Sequence, residues 1–219
     1  MPTKNPIKEL SRKLKTNVLT LEMLYAFMSD KTLDAKKSYL KRACQKGDLL
    51  RLRSGLYLFG EEYRSRPSHP FEIANHIREP SYVSLESALS YYGLIPEAVY
   101  TTTSVTTQLR LEQKTPVGQF SYSHLKSNYF NFGFYRAQEK MNHQEVKFLI
   151  ATPLKALMDY IVLRKKNYRR IEEVEEDLRF NLLEFKSYTK FINQNKIEEL
   201  LKIYKSHRLQ VFLKELKKL

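Results

Sequence analysis

The chain has no tryptophan, one cysteine and only six glycines in 219 residues. A single thiol, Cys44, cannot close an internal disulfide, and with five scattered histidines it is too little for a cysteine-rich structural zinc site. Six glycines leave little room for a phosphate-cradling loop, and no G-x-x-x-x-G-K-[ST], G-x-G-x-x-G or H-E-x-x-H pattern occurs. No cofactor and no metal are expected. Nothing approaches the roughly 18 to 20 consecutive apolar residues of a membrane helix, and the opening MPTKNPIKELSRK lacks a secretory signal's apolar stretch, so a cytoplasmic protein with no membrane partner is expected. Aspartate is missing from Gly60 to Lys147, which bears on the single enzymatic motif considered below.

What the chain does have is positive charge. Lys and Arg number 38 against 24 Asp and Glu, a net charge of +14 that favours polyanionic partners. Residues 1–60 hold 13 basic and 5 acidic residues, so +8 of the excess sits in the first quarter of the chain. With 42% hydrophobic residues the chain can bury a core, and its length suits a small module followed by a larger one.

The first module reads as two helices and a hairpin. Thr20 caps a helix whose apolar face is Leu21, Leu24, Tyr25 and Met28, and a second helix runs from Leu33 to Lys46, where Gly47 stops it. A turn of about 100° per residue places Leu40, Ala43 and Cys44 inward and Ser38, Lys41, Arg42 and Gln45 outward, flanked by Lys37 and Lys46. Leu49–Arg53 and Leu56–Phe59, joined through Ser54-Gly55, alternate like a hairpin. Its first strand should turn Leu50 and Leu52 onto the helices and Arg51 and Arg53 outward. Two helices followed by a basic hairpin describe a winged helix-turn-helix, with Lys37, Ser38, Lys41, Arg42, Gln45, Lys46, Arg51 and Arg53 as candidate contacts to double-stranded DNA. Before this module, Ile7–Leu14 could add a helix, or Lys4, Lys8, Arg12, Lys13 and Lys15 a basic arm.

Glu61–Pro70, rich in charge and proline, reads as a linker. Beyond it come a short helix over Phe71–Ile77, an extended Pro80–Val83, and a helix capped by Ser84 with Leu85, Ala88, Leu89 and Tyr92 inward and Gly93 at its end. Runs at Tyr100–Thr107, Gly118–Ser123 and Tyr129–Tyr135 predict strands of a small antiparallel sheet, Val146–Ala151 a further strand, and Thr152-Pro153 the start of a helix that buries Leu154, Leu157, Met158 and Ile161.

Three phrases in this order are similar to a known family: Leu50-Arg51-Leu52-Arg53-Ser54-Gly55-Leu56-Tyr57; Pro80-Ser81-Tyr82-Val83-Ser84-Leu85-Glu86-Ser87-Ala88-Leu89 leading to Tyr92-Gly93-Leu94; and Ala151-Thr152-Pro153-Leu154-Lys155-Ala156-Leu157-Met158-Asp159. The chain resembles the AbiEi family of abortive-infection antitoxins, antitoxin-like transcriptional regulators in which a winged-helix domain precedes an antitoxin domain. The resemblance, spanning residues 50 to about 160, implies a repressor that binds its own promoter, opposes a co-encoded nucleotidyltransferase toxin and has no catalysis of its own. The expected organisation is therefore α+β: a winged helix-turn-helix over 1–60, a linker over 61–70, and an antitoxin-like α+β domain over 71–219 that ends in amphipathic helices and leaves room for self-association on DNA.

Two rival readings accompany this one. A regulator of the same fold without a toxin partner is the first. The second is a metal-dependent nuclease built on Glu145-Val146-Lys147, an E-x-K pattern whose missing aspartate would have to be replaced by Glu86 or Glu112; a solvent-facing ion pair accounts for it better. Cys44 on an apolar helix face reads as packing rather than as a nucleophile, and Ser81, Ser84, Ser87 and Ser90 as caps and an exposed helix face. From Arg169 onward neither glycine nor proline occurs, and Ile171, Val174 and Leu178, then Ile197, Leu200, Leu201 and Tyr204, then Leu209, Phe212, Leu213 and Leu216 recur at helical spacing. Glu172, Glu173, Glu175, Glu176 and Asp177 make the first of these helices acidic, a soluble face or a surface for a basic partner.

Overall fold

A computed structural model describes residues 5–14, 16–189 and 194–217. Lys4 and Lys15, two members of the anticipated basic arm, lie outside the described residues. The chain is α+β, with eleven helices and two sheets among the described residues.

The N-terminal elements follow local chemistry closely. Helix α1 (Pro6–Lys13) begins where the Asn5 side chain accepts from the Ile7 backbone N–H. After β1 (Val18–Thr20), the Thr20 and Thr32 hydroxyls cap α2 (Leu21–Phe27) and α3 (Leu33–Lys46) by accepting from Met23 and Ala35. Gly47 closes α3 at φ +80°, the left-handed conformation open to glycine without a Cβ clash. The hairpin β2 (Leu49–Arg53) and β3 (Leu56–Phe59) completes the module, and β1, missed in the sequence, pairs with β3 to give the antiparallel order β1-β3-β2.

This sheet is apolar on both faces. Leu19, Leu49, Tyr57 and Phe59 join Ile7, Leu10, Leu24, Met28 and Ala43 in a core under α1–α3. Val18, Leu52, Leu56 and Leu58 belong to the larger core formed by residues 71 onward, with Leu50 packed against it. Leu50 and Leu52 therefore face away from the helices, the reverse of the arrangement predicted from alternation. The reason is that β3 carries a large apolar side chain at every position, so its alternation leaves both faces needing cover. The stretch 61–70 is likewise no loose linker. Asn17 donates to the Arg66 carbonyl at 2.9 Å, Arg64 donates to the Phe59 carbonyl at 2.6 Å, and the Arg66 guanidinium forms a buried bidentate pair with Glu72.

The second body is built on a six-stranded mixed sheet. In chain order it comprises α4 (Pro70–Ile77), β4 (Ser81–Val83), α5 (Leu85–Tyr91), β5 (Thr101–Thr106), β6 (Leu111–Thr115), β7 (Gly118–His124), α6 (Ser127–Phe130), β8 (Phe134–Met141), β9 (Gln144–Ala151) and α7 (Pro153–Leu163). The strand order is β6-β7-β5-β4-β9-β8, with β5·β7 and β4·β9 parallel and the other pairs antiparallel. Two strands, β6 and most of β8, escaped the sequence reading because, at the sheet edges, they are made mostly of half-buried and exposed positions and lack an apolar stripe. Conversely, Tyr129–Tyr135 is not a strand. It holds the end of α6, a turn through Gly133 at φ +72°, and only the start of β8. Gly133 is required there because a Cβ would meet Lys155 Cβ and Cγ at 3.0 Å.

That close approach seals a buried charge pair. Helix α7, capped by Thr152, is buried from Leu154 through Ile161, including Lys155 and Asp159 one turn apart. Their side chains pair directly, Asp159 also accepts from the Tyr82 hydroxyl at 3.0 Å and the Ser84 hydroxyl at 2.8 Å, and the Lys155 ammonium lies 5.3 Å from the Tyr82 and Phe132 ring centroids. Desolvation pushes the Asp159 carboxyl pKa up and the Lys155 ammonium pKa down, each opposed by the partner's charge. Ser84 thus does not cap α5 as predicted: the backbone turns to φ +58° at Leu85, and the hydroxyl is spent on Asp159. Ser87 is buried too, accepting from the Thr103 N–H at 2.8 Å rather than facing solvent. The C-terminal helices α8 (Ile171–Leu178), α9 (Leu182–Thr189), α10 (Gln194–Ile203) and α11 (His207–Leu216) bring Val174, Leu200, Leu209, Phe212 and Leu213 into the same core.

Replacing one member of the buried pair, as in Lys155→Met or Asp159→Asn, should lower the unfolding free energy by about 3–5 kcal/mol, with the joint replacement by apolar residues recovering most of the loss. Urea unfolding measures this, and a loss below about 1 kcal/mol in both single variants would refute it. A second expectation concerns His69, whose Nδ1 accepts from the Phe71 N–H at 3.2 Å and whose ring stacks on Phe148 at 4.7 Å. Burial lowers its pKa, against the pull of Glu139. The unfolded chain then takes up a proton near its ordinary pKa of about 6.5 before the folded chain does, so stability falls as the pH drops through and below that value. His69→Asn, which keeps a capping acceptor, should flatten that portion of the curve.

Candidate nucleic-acid interface

Helix α3 is held from beneath by a few contacts and is otherwise open. The Lys36 ammonium donates to the Tyr25 carbonyl at 2.9 Å and lies 5.6 Å from that residue's ring centroid, tying α3 to α2. The Tyr39 hydroxyl donates to Asn5 at 3.0 Å, tying it to the start of α1, and Ala43 is buried. These anchors orient the remaining face. Lys37, Ser38, Lys41, Arg42, Gln45 and Lys46 are all exposed, and none has an ion pair or side-chain hydrogen bond among the described residues. The acidic residue of α3, Asp34, is in its first turn and Lys46 in its last, the distribution the helix dipole favours.

The two hairpin arginines part company. Arg51 opposes Tyr57 and is exposed on the α3 side of the sheet, close enough to Cys44 and Tyr57 to influence both electrostatically. The register shifts between Arg51 and Arg53, and Arg53 turns to the second body, where its Nε donates to the Ile77 carbonyl at 2.8 Å and a terminal nitrogen to the Ser54 carbonyl at 3.0 Å. Arg53, predicted to reach outward beside Arg51, is exposed as well, but its guanidinium clasps the hairpin to the end of α4. Strict two-residue alternation places both on one face; the bulge, which inserts an extra residue, separates them.

The other candidates disperse. Glu145 and Lys147 form a half-exposed pair at 3.5 Å, while Glu86 is engaged by Arg164 at 2.7 Å and Glu112 by Arg110 at 3.0 Å. Among the described residues no group of three His, Cys, Asp or Glu side chains is placed to hold a metal ion. Cys44 is partly buried, and desolvation raises its pKa, the opposite of what an activated thiol needs. Of the acidic run on α8, Asp177 pairs with Lys166 at 2.6 Å and Glu173 accepts from the Arg169 N–H at 2.9 Å. No helix among the described residues is long and apolar enough to cross a membrane.

No family model matches the chain, and no match was found among curated proteins. The polar residues missed in the sequence, Lys155, Asp159 and the Arg66–Glu72 pair, all lie in the interior rather than on this face. One signal was available for the first two: a lysine and an aspartate at i,i+4 spacing inside an otherwise apolar helix.

Because Arg53 bonds a backbone carbonyl across the junction, Arg53→Ala should reduce stability by about 1 kcal/mol or more, whereas Arg51→Ala should change it by less than about 0.5 kcal/mol. Thermal or urea unfolding separates the two, and equal effects would show that the clasp is not used.

Proposed function

We propose that the chain is a DNA-binding transcriptional repressor whose residues up to Phe59 act as a winged helix-turn-helix, with α3 as the recognition helix. The observation that carries this reading is the unpaired row of Ser38, Lys41, Arg42 and Gln45 along one face of α3, flanked by Lys37 and Lys46 and followed by Arg51 on the hairpin. The major groove is about 12 Å wide and admits one helix with its side chains. Arg42, Gln45 and Ser38 have the donors and acceptors to meet base edges, while Lys37, Lys41 and Lys46 supply charge to phosphates on either side. Arg51 alone extends this surface onto the hairpin, so the wing contributes one cation to the duplex and spends the other on the second body.

The second half of the proposal is that residues 71–219 counteract a co-encoded nucleotidyltransferase toxin, with repression of the shared operon as the outcome. Support comes from the three motif phrases. Tyr82, Ser84, Lys155 and Asp159, which the second and third phrases contribute, form the polar heart of the second body, so the phrases are explained as folding determinants of that body, and the toxin contact is sought on its surface.

Binding to the DNA upstream of the chain's own coding region tests the first half. Affinity should fall steeply as salt rises, Lys41→Ala and Lys46→Ala should each reduce the slope of log K against log salt by about one, and Arg42→Ala or Gln45→Ala should relax discrimination at single base pairs by about 1–3 kcal/mol. Undiminished affinity after Lys41→Glu with Arg42→Glu would refute the interface. For the second half, a neighbouring reading frame encoding a nucleotidyltransferase whose toxicity is relieved on co-expression supports the antitoxin role, and relief that fails leaves a repressor without that partner.

A further inference from the structure

The sheet of the second body does not close beside β4. That strand is three residues long and pairs with β9 only through Val83 and Ile150, so the earlier part of β9 lacks a strand neighbour on that side. The Asn75 side chain of α4 takes the place of one, accepting from the Leu149 N–H at 2.6 Å and donating to the Leu149 carbonyl at 3.4 Å. Between α4 and the β8·β9 pair this leaves a crevice of about 650 Å³, within the roughly 300–1,000 Å³ range of small-molecule sites.

Its lining has three parts. Phe130 and Phe134 form an aromatic panel whose rings lie 4.9 and 4.7 Å from the Tyr82 ring, and Tyr82 is itself held by Asp159, so the panel is backed by the buried charge pair. Arg136 and Lys147 supply the cations. The β8·β9 register sets Arg136 opposite Leu149 and Lys147 opposite Gln138, which makes the two diagonal neighbours on one face of the sheet. Arg136 is exposed and has no carboxylate partner among the described residues, and Lys147 has only the half-exposed Glu145 at 3.5 Å. The third part is Ser81, 3% exposed, whose hydroxyl makes no hydrogen bond. Of the carboxylates nearby, Glu72 is bonded by Arg66, whereas Glu79 is largely exposed and lies 3.5 Å from His76, an ion pair only when that imidazole is protonated. Arg136 is thus the cation of the crevice left without a carboxylate partner among the described residues.

We propose that this crevice binds a small organic anion carrying an aromatic ring, its anionic group held by Arg136 and Lys147 and its ring against Phe130 and Phe134. The site is independent of the α3 surface and of the nucleic-acid reading. Either a phosphate or a carboxylate satisfies the two cations, so the source of the anion is decided by experiment. Calorimetric titration of the full chain with adenosine 5′-monophosphate and with 4-hydroxybenzoate covers both, with the ring and the anion alone supplied by adenosine and inorganic phosphate for the first and by phenol and acetate for the second. Saturable binding of at least one ring-bearing anion is expected, about tenfold or more tighter than either fragment, and at least tenfold weaker in Arg136→Gln/Lys147→Gln, two exposed positions whose replacement leaves the core intact. A preference for the nucleotide assigns a phosphate, and a preference for the benzoate assigns a carboxylate. Absence of saturation by either ring-bearing anion at millimolar concentration, or binding unchanged in the double variant, overturns the proposal.

Discussion

The structure turns on one strand. In β3, Leu56 and Leu58 enter the core of the second body while Tyr57 and Phe59 enter the core beneath α1–α3, so a four-residue segment belongs to two hydrophobic interiors at once. Burying a leucine or aromatic side chain contributes about 1.5–3 kcal/mol, and Val18 and Leu52 add to the same face as the two leucines. A junction of that kind is stronger than the polar contacts that commonly join domains, and the Arg53 clasp and the buried Arg66–Glu72 pair fasten it further. The first module is therefore held by the second rather than tethered to it.

This has a consequence for how the basic face works. A module on a flexible linker samples many orientations, and whatever it binds is independent of what its neighbour does. Here α3 is fixed to a sheet, and the sheet is fixed to the second body through α4, whose last carbonyl receives Arg53 and whose Asn75 replaces a strand beside Leu149. The α3 surface and the crevice at Arg136 thus share α4 as a common structural member, although each can be read on its own chemistry.

Within the second body the buried Lys155–Asp159 pair plays a comparable organising part. Its desolvation would be unfavourable without full hydrogen bonding, and Tyr82 and Ser84 provide that from β4 and the residue after it. The requirement explains several local choices together: Gly133, where a Cβ would crowd Lys155 at a left-handed φ; the left-handed turn at Leu85; and the diversion of Ser84 from capping. A polar cluster that accepts only one arrangement of its neighbours helps select a single packing of α7 against the sheet.

Much of the local structure was legible from the amino acids alone. The caps at Thr20 and Thr152, the stop at Gly47, the hairpin about Ser54-Gly55 and the helical spacing of Ile171, Val174 and Leu178 all express preferences of a few neighbouring residues, and they are found at those positions. The outward set on α3 was legible for the same reason, since helical periodicity is a property of the segment itself. What the sequence could not determine was which partner covers each face. Leu50 and Leu52 were recognisably inward, but inward toward what depends on residues more than twenty positions away; Arg51 and Arg53 were recognisably a pair, but a bulge in their pairing with β3 separates them and, although both are exposed, brings Arg53 to the Ile77 carbonyl. The Lys155–Asp159 centre, the crevice beside β4 and the union of the two bodies through one sheet arise in the same way, from contacts between segments distant in the chain, where tertiary packing rather than local propensity decides the lowest free energy.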